Sequence, residues 1–168
     1  VTLFEAAERL GGHAHTVEVL APGGPIAVDM GFIVYNEVNY PNLTALFRHL
    51  GAPTKPADMS LAISLDDGDL EYGSKSLASL FAQPSALLRP RFWSMLRDLN
   101  RFYQTAPGHL ATLDPVVSLS EYLRAQGYGA ALRQDHLLPM AAAIWSASVE
   151  GVGEHPAAAF IRFFENHD

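Results

Sequence analysis

The apolar spacing of this chain changes character once, near Ser74, and that change bounds the folds open to it. Before Ser74, short apolar runs are broken by glycine and proline turns; after it, apolar residues recur at helical spacing almost to the end. The chain therefore reads as α/β in kind, α+β within this stretch, with a mixed part over residues 1–73 and a helical part over residues 74–168. In the first part, Val1 to Phe4 reads as a short buried strand closed by Glu5, and Gly11-Gly12 as a turn. His15 to Leu20 alternates like a strand, Ala21-Pro-Gly-Gly-Pro25 turns the chain, and Ile26 to Asp29 returns, so a hairpin is the simplest pairing. Pro41 to Leu50 is a predicted helix, with proline in its first turn, Gly51 at its end, and Leu43, Leu46, Phe47 and Leu50 on one face. Met59 to Leu65, an Asp66-Asp67-Gly68 turn and Leu70 to Tyr72 predict a second hairpin.

In the second part, Ser76 to Phe81 reads as a short helix and Arg91 to Tyr103 as a long one, with Phe92, Leu96, Leu99 and Tyr103 as its apolar stripe. Ser118-Leu-Ser-Glu121 is a capping box ahead of a helix over Tyr122 to Gln126. Ala130 to Ala143 is largely helical with an interruption near Pro139, and Pro156 to Glu165 closes the pattern as an apolar helix. There is no internal repeat and no low-complexity segment.

Composition removes several classes of function. With 18 acidic against 11 basic residues and no basic cluster, the chain offers nothing that nucleic acid would bind. No apolar run approaches the roughly 18 residues of a membrane span, so an integral membrane protein is not expected and a cytoplasmic location is. The absence of cysteine excludes disulfides and thiolate chemistry. His13 and His15 alternate and would share one face of a strand, but no third ligand lies near them in sequence, so no metal site is expected. No order of Ser, His and Asp, and no carboxylate pair, argues for hydrolysis.

What remains is the opening stretch, VTLFEAAERLGGHAHT. In a dinucleotide-binding fold, a strand that ends in an acid delivers a carboxylate to ribose hydroxyls, and Glu5 is placed for that. Gly11 and Gly12 lack a Cβ and let backbone lie against a flat ring or a pyrophosphate, and Arg9 could offset phosphate charge. The plainer readings are a solvated strand end and an ordinary turn.

Glu5, Arg9, Gly11 and Gly12, followed by Thr16, resemble the pattern E-x-x-x-R-x-G-G of flavin-containing amine oxidases, and Val28-Asp-Met-Gly-Phe32 resembles that family's next element. The chain is most similar to a bacterial subgroup of predicted NAD/FAD-dependent oxidoreductases. The similarity includes Gly31-Phe-Ile-Val-Tyr-Asn36, Tyr40-Pro-Asn-Leu-Thr44, Leu88-Arg-Pro-Arg-Phe-Trp93 and Ala143-Ile-Trp-Ser146, and so runs from end to end. The resemblance implies an FAD cofactor, with Glu5, Arg9, Gly11, Gly12, His13, Asp29 and Gly31 beside it. Residues 1–73 would then be a partial Rossmann-like FAD-binding domain, and residues 74–168 a helical segment of a substrate-binding domain. It implies oxidation of a small or lipid-like substrate by hydride transfer to the flavin, with Tyr35, Asn36 and Trp145 lining the substrate pocket. From the residues alone, core packing is the favoured reading of this tyrosine and tryptophan. Two features depart from the family: no G-x-G-x-x-G occurs in the chain, and His13 stands where the family usually has arginine. The chain opens on Val1 without an initiator methionine. It is therefore expected to be a fragment that lacks the glycine-rich unit and the C-terminal cofactor segment, binds FAD weakly or not at all, and is inactive alone. The alternative is a non-catalytic helical module that self-associates as a homo-oligomer through an apolar face.

Overall fold

The computed structural model describes residues 2–31 and 34–166, so Val1, and the Phe32 and Ile33 of the resemblance above, lie outside the described residues. The chain divides into two compact units, Val1–Asp58 and Met59–Asp168. The second hairpin, grouped by sequence with the first part, thus lies in the same unit as the long helices.

The first unit is built on one hairpin and one helix. Strands β1 (Thr16–Ala21) and β2 (Gly24–Asp29) pair antiparallel, from Thr16 opposite Asp29 to Ala21 opposite Gly24. The two-residue connection Pro22-Gly23 turns tightly because Gly24 adopts φ +113°, a left-handed conformation closed to most side chains. Helix α1 (Pro41–Leu50) begins on proline, which needs no donor in the first turn, and stops at Gly51 in the left-handed region, as predicted. Its apolar face is only half covered: no residue of α1 is buried. The strand expected over Val1 to Phe4 does not form in the described part, Thr2–Phe4, which has no regular structure. A strand exists only through the neighbour that completes its hydrogen bonds, and among the described residues the two sheets are the β1–β2 and β3–β4 hairpins.

The second unit opens with hairpin β3 (Ala62–Leu65) and β4 (Leu70–Gly73), in register from Ala62 opposite Gly73 to Leu65 opposite Leu70. The Asp66–Gly68 turn has left-handed φ at all three residues, tolerable for Asp and Gly. Then follow α2 (Leu77–Leu80), α3 (Pro90–His109), α4 (Leu119–Ala125) and α5 (Ala130–Leu132). A π-helical stretch over Arg133–Leu137 leads into α6 (Leu138–Trp145), and α7 (Val149–Gly153) and α8 (Ala157–Glu165) complete the unit.

Two clusters form its core. One packs the hairpin residues Ile63, Leu70 and Tyr72 on Phe92 and Met95 of α3. The other gathers Phe102, Leu119, Tyr122, Leu123, Leu137, Phe160 and Ile161 from α3, α4, the π stretch and α8. The buried side of α3 therefore differs from the expected stripe. It runs Phe92, Met95, Asp98, Phe102 and Ala106, while Leu96 and Leu99 are half-buried and Tyr103 is exposed. Asp98 can lie inside because its carboxylate accepts the Gly129 N–H (2.9 Å) and meets Arg97 (3.3 Å) and Arg101 (3.7 Å). The interruption expected near Pro139 is the π stretch just before it, and Pro139 itself occupies the first turn of α6.

Candidate functional site

Most of the residues expected beside a cofactor come together in the first unit, around the turn that precedes β1. Gly11 has φ +105° and Gly12 φ +57°, both in the region that favours glycine. The two serve differently. A Cβ on Gly11 would come within 2.7 Å of the Ala14 carbonyl, so its smallness lets the turn close on itself. A Cβ on Gly12 would meet nothing within 4 Å, so this glycine lays bare backbone toward open space.

Arg9 sits under the turn. Its Nη1 donates to the carbonyls of Leu10 (3.1 Å) and Ala14 (3.2 Å), and its Nη2 to that of Gly12 (2.6 Å). Ala14 N–H closes the loop on Gly11 C=O (3.0 Å). The hairpin then brings the second group of residues against the first. Met30 N–H donates to His15 C=O (2.6 Å), Thr16 Oγ1 donates to Asp29 Oδ1 (2.7 Å), and Gly31 lies so close to the His13 carbonyl that a Cβ there would run into it. Arg9, Gly11, Gly12, His13, Asp29 and Gly31 thus belong to one local cluster, with the His13 side chain exposed.

Glu5 stands apart: its Oε1 accepts the Ala7 N–H (2.9 Å), a bond within its own turn that leaves Oε2 available. Tyr35 packs edge-on against Phe47 of α1 (5.2 Å, 86°), and Asn36 Oδ1 accepts the Asn39 N–H (2.7 Å) while its carbonyl accepts Tyr40 N–H (3.1 Å). Both organise the approach to α1. Trp145 belongs to the second unit, where it is half-buried, stacked on His155 (6.2 Å, 21°) and packed against Phe160 and Phe163.

The second unit holds a polar network that spacing alone does not reveal. The wider π turn carries Asp135 and His136 inward. The Tyr72 hydroxyl lies 2.8 Å from His136 Nδ1 and donates to the Asp135 carbonyl at 2.7 Å. Since that hydroxyl has one proton, both bonds are satisfied when His136 Nδ1–H donates to it. The Asp135 carboxylate accepts a two-pronged bond from Arg91, Nε at 2.7 Å and Nη2 at 2.8 Å. Arg89 makes the same fork with Asp69 (2.7 and 3.1 Å), which holds that carboxyl below its usual range. These ion pairs line a cleft of about 180 Å³ beside Leu65, Leu70 and Phe92. Both arginines of the Leu88–Trp93 stretch are therefore engaged within the unit, and Trp93 Nε1 donates to Leu87 C=O (2.9 Å). The one sequence signal for the network was a block of four polar residues, Arg133 to His136, inside an otherwise apolar helical run.

The polar groups a flavin nucleotide would meet in this stretch are one acceptor, the second carboxylate oxygen of Glu5, and the bare backbone of Gly12 facing open space. The Arg9 guanidinium is not among them, being engaged by the carbonyls of Leu10, Gly12 and Ala14. Among the described residues, no group of three or more His, Asp and Glu side chains is arranged to hold a metal ion. Among the described residues, no helix is long and apolar enough to cross a membrane. Comparison with curated proteins finds no match. Residues 1–167 match the family described as flavin containing amine oxidoreductase, and with nearly the whole chain spanned, this protein belongs to that family.

Proposed function

We propose that Glu5 and the Gly11–Gly12 turn form one edge of an FAD site, with Glu5 accepting from the ribose hydroxyls of the adenosine and the turn meeting the pyrophosphate or flavin rim. The helical unit contributes part of the wall for a small or lipid-like substrate, with Trp145 on it. Flavin, when bound, supplies the redox chemistry by taking up hydride at N5, which is why no catalytic dyad is needed from this chain. The reaction takes place in the cytoplasm. The observation that carries the reading is the turn itself, in a member of a flavin-dependent family: a left-handed Gly12 with open space where its side chain would be.

Titration of the ¹⁵N-labelled chain with FAD, followed by amide chemical shifts, tests it. The amides of residues 11–13 should shift with weak, saturable binding. Glu5→Gln should lower FAD affinity roughly tenfold, the size of one lost charge-assisted hydrogen bond, and leave riboflavin, which has no adenosine, unaffected. Loop amides that do not respond to FAD at any attainable concentration would overturn the proposal.

A further inference from the structure

The hydrogen bonds of Arg9 give it work other than that of a charge near a phosphate. It takes three carbonyls, those of Leu10, Gly12 and Ala14, at alternate peptide units of the loop. In a trans peptide the C=O of one residue and the N–H of the next point in opposite directions, and no peptide here is cis. Pulling the Leu10 and Gly12 carbonyls onto the guanidinium therefore turns the N–H groups of Gly11 and His13 away from it. Neither N–H has an acceptor among the described residues, whereas the Gly11 carbonyl between them is taken by Ala14 N–H at 3.0 Å. The loop so arranged has the Leu10, Gly11, Gly12 and Ala14 carbonyls satisfied from within and the Gly11 and His13 N–H groups turned away from the guanidinium, which is the polarity an oxyanion or a ring carbonyl of a ligand requires.

We infer that Arg9 is a positioning residue, which orients the Leu10–Gly11 and Gly12–His13 peptides so that the Gly11 and His13 N–H groups, and not the arginine charge, receive the acceptor atoms of the flavin nucleotide. This rests on the flavin reading above. It separates two roles that a basic residue can fill. A phosphate ligand acts by charge, and lysine replaces it in large part. A brace across three carbonyls acts by the planar fork, which an ammonium cannot reproduce.

The test compares Arg9→Lys and Arg9→Ala with the unaltered chain, with resonances of the second unit, such as those of Phe102 and Ile161, confirming that each variant is folded. Without ligand, amide exchange at Ala14 should accelerate in both variants, since the turn it closes has lost its support. With FAD, both variants should lose affinity by about the same factor, on the order of tenfold, and the Gly11 and His13 amides should no longer dominate the shift changes. Adding guanidinium ion to Arg9→Ala should restore part of both signals. A lysine variant that keeps wild-type affinity while the alanine variant loses it would overturn the inference in favour of a charge role. So would Ala14 exchange that is unchanged in both. If the unaltered chain shows no response to FAD, the flavin reading fails and the ligand half of this inference falls with it, while exchange at Ala14 still decides whether Arg9 braces the turn.

Discussion

At the scale of single residues, His136 has the most definite consequence. It is 6% exposed, and burial lowers its pKa from the ordinary 6.5 to about 4, so it is neutral in the folded protein at pH 7. Its Nδ1–H is committed to Tyr72, whose phenol is in turn pushed well above its usual range, chiefly by burial. An unfolded chain has no such constraint and protonates His136 near 6.5. Between pH 6.5 and 4 the unfolded state therefore binds more protons than the folded one. The contribution is fully present above pH 6.5 and is lost as pH falls through that window toward 4. Lowering the pH from 7 to 5 should remove about 2 kcal/mol of unfolding free energy through this residue. Urea unfolding at the two pH values measures it. His136→Gln starts from a lower stability at pH 7 because it disturbs the Tyr72 bond, but its loss on acidification should be smaller than the wild type's by about that amount. An equal loss in both proteins would show that His136 titrates normally.

At the scale of elements, α4 shows what a short helix needs to form. Its seven residues are too few to be helical alone. Ser118 Oγ accepts the Glu121 N–H at 3.2 Å, and Glu121 Oε2 accepts the Ser118 N–H at 3.0 Å, so two orphan donors are answered reciprocally. The same bonds hold the Glu121 carboxyl below its usual range. Leu119 N–H donates to His155 C=O (2.8 Å) and Ala157 N–H to Val117 C=O (2.9 Å), so the cap also joins the start of α4 to the start of α8. Ser118→Ala should cost about 1–2 kcal/mol by chemical denaturation, with Ser118→Asp, another good cap, recovering most of it; full recovery by glycine would instead mean that only backbone freedom matters there. This cap was legible in the sequence because its signal is local, as were the two hairpins and α1, whose turns are written in glycine, proline and aspartate. What escaped the sequence was non-local. Asp98 lies in the buried stripe of α3 because Gly129, 31 residues on, supplies its donor, and no spacing rule places an aspartate inward. An interruption near Pro139 was legible, but nothing in the spacing said that it would be a π turn over Arg133–Leu137. The strand expected over Val1 to Phe4 had the right composition, but among the described residues Thr2–Phe4 has no neighbouring strand to bond to. At the candidate site the glycine turn could be read from residue types, whereas the bonding of Arg9 to three carbonyls could not, since charge suggests a phosphate and only geometry shows the carbonyls.

At the scale of the whole molecule, the core is unevenly divided. Every buried side chain among the described residues lies at Ile63 or beyond, whereas the described residues of the first unit are exposed or half-buried. Leu20, Ile26, Val38 and Leu50 are among the apolar side chains left more than half exposed there. Stability follows burial of apolar surface, at about 25 cal/mol per Å², so it must reside almost entirely in the second unit. The first unit draws its order from hydrogen bonds, the β1–β2 ladder and the α1 caps, which are individually worth about 1 kcal/mol in water. Such a region opens locally at low free energy, well below that of global unfolding. Two measurements on the full chain and on residues 59–168 alone check this. Limited proteolysis of the full chain should cut first within residues 1–58 and leave the helical unit intact. The 59–168 chain should unfold cooperatively, with a midpoint within a few degrees of that of the full chain, because all the residues described in the two core clusters belong to the second unit. A truncated chain that loses its cooperative transition would mean that the hairpin and α1 contribute to the core after all. If it keeps the transition, the same 59–168 chain also isolates the cofactor question: having lost Glu5, Arg9 and the glycine turn, it should show no response to FAD at all.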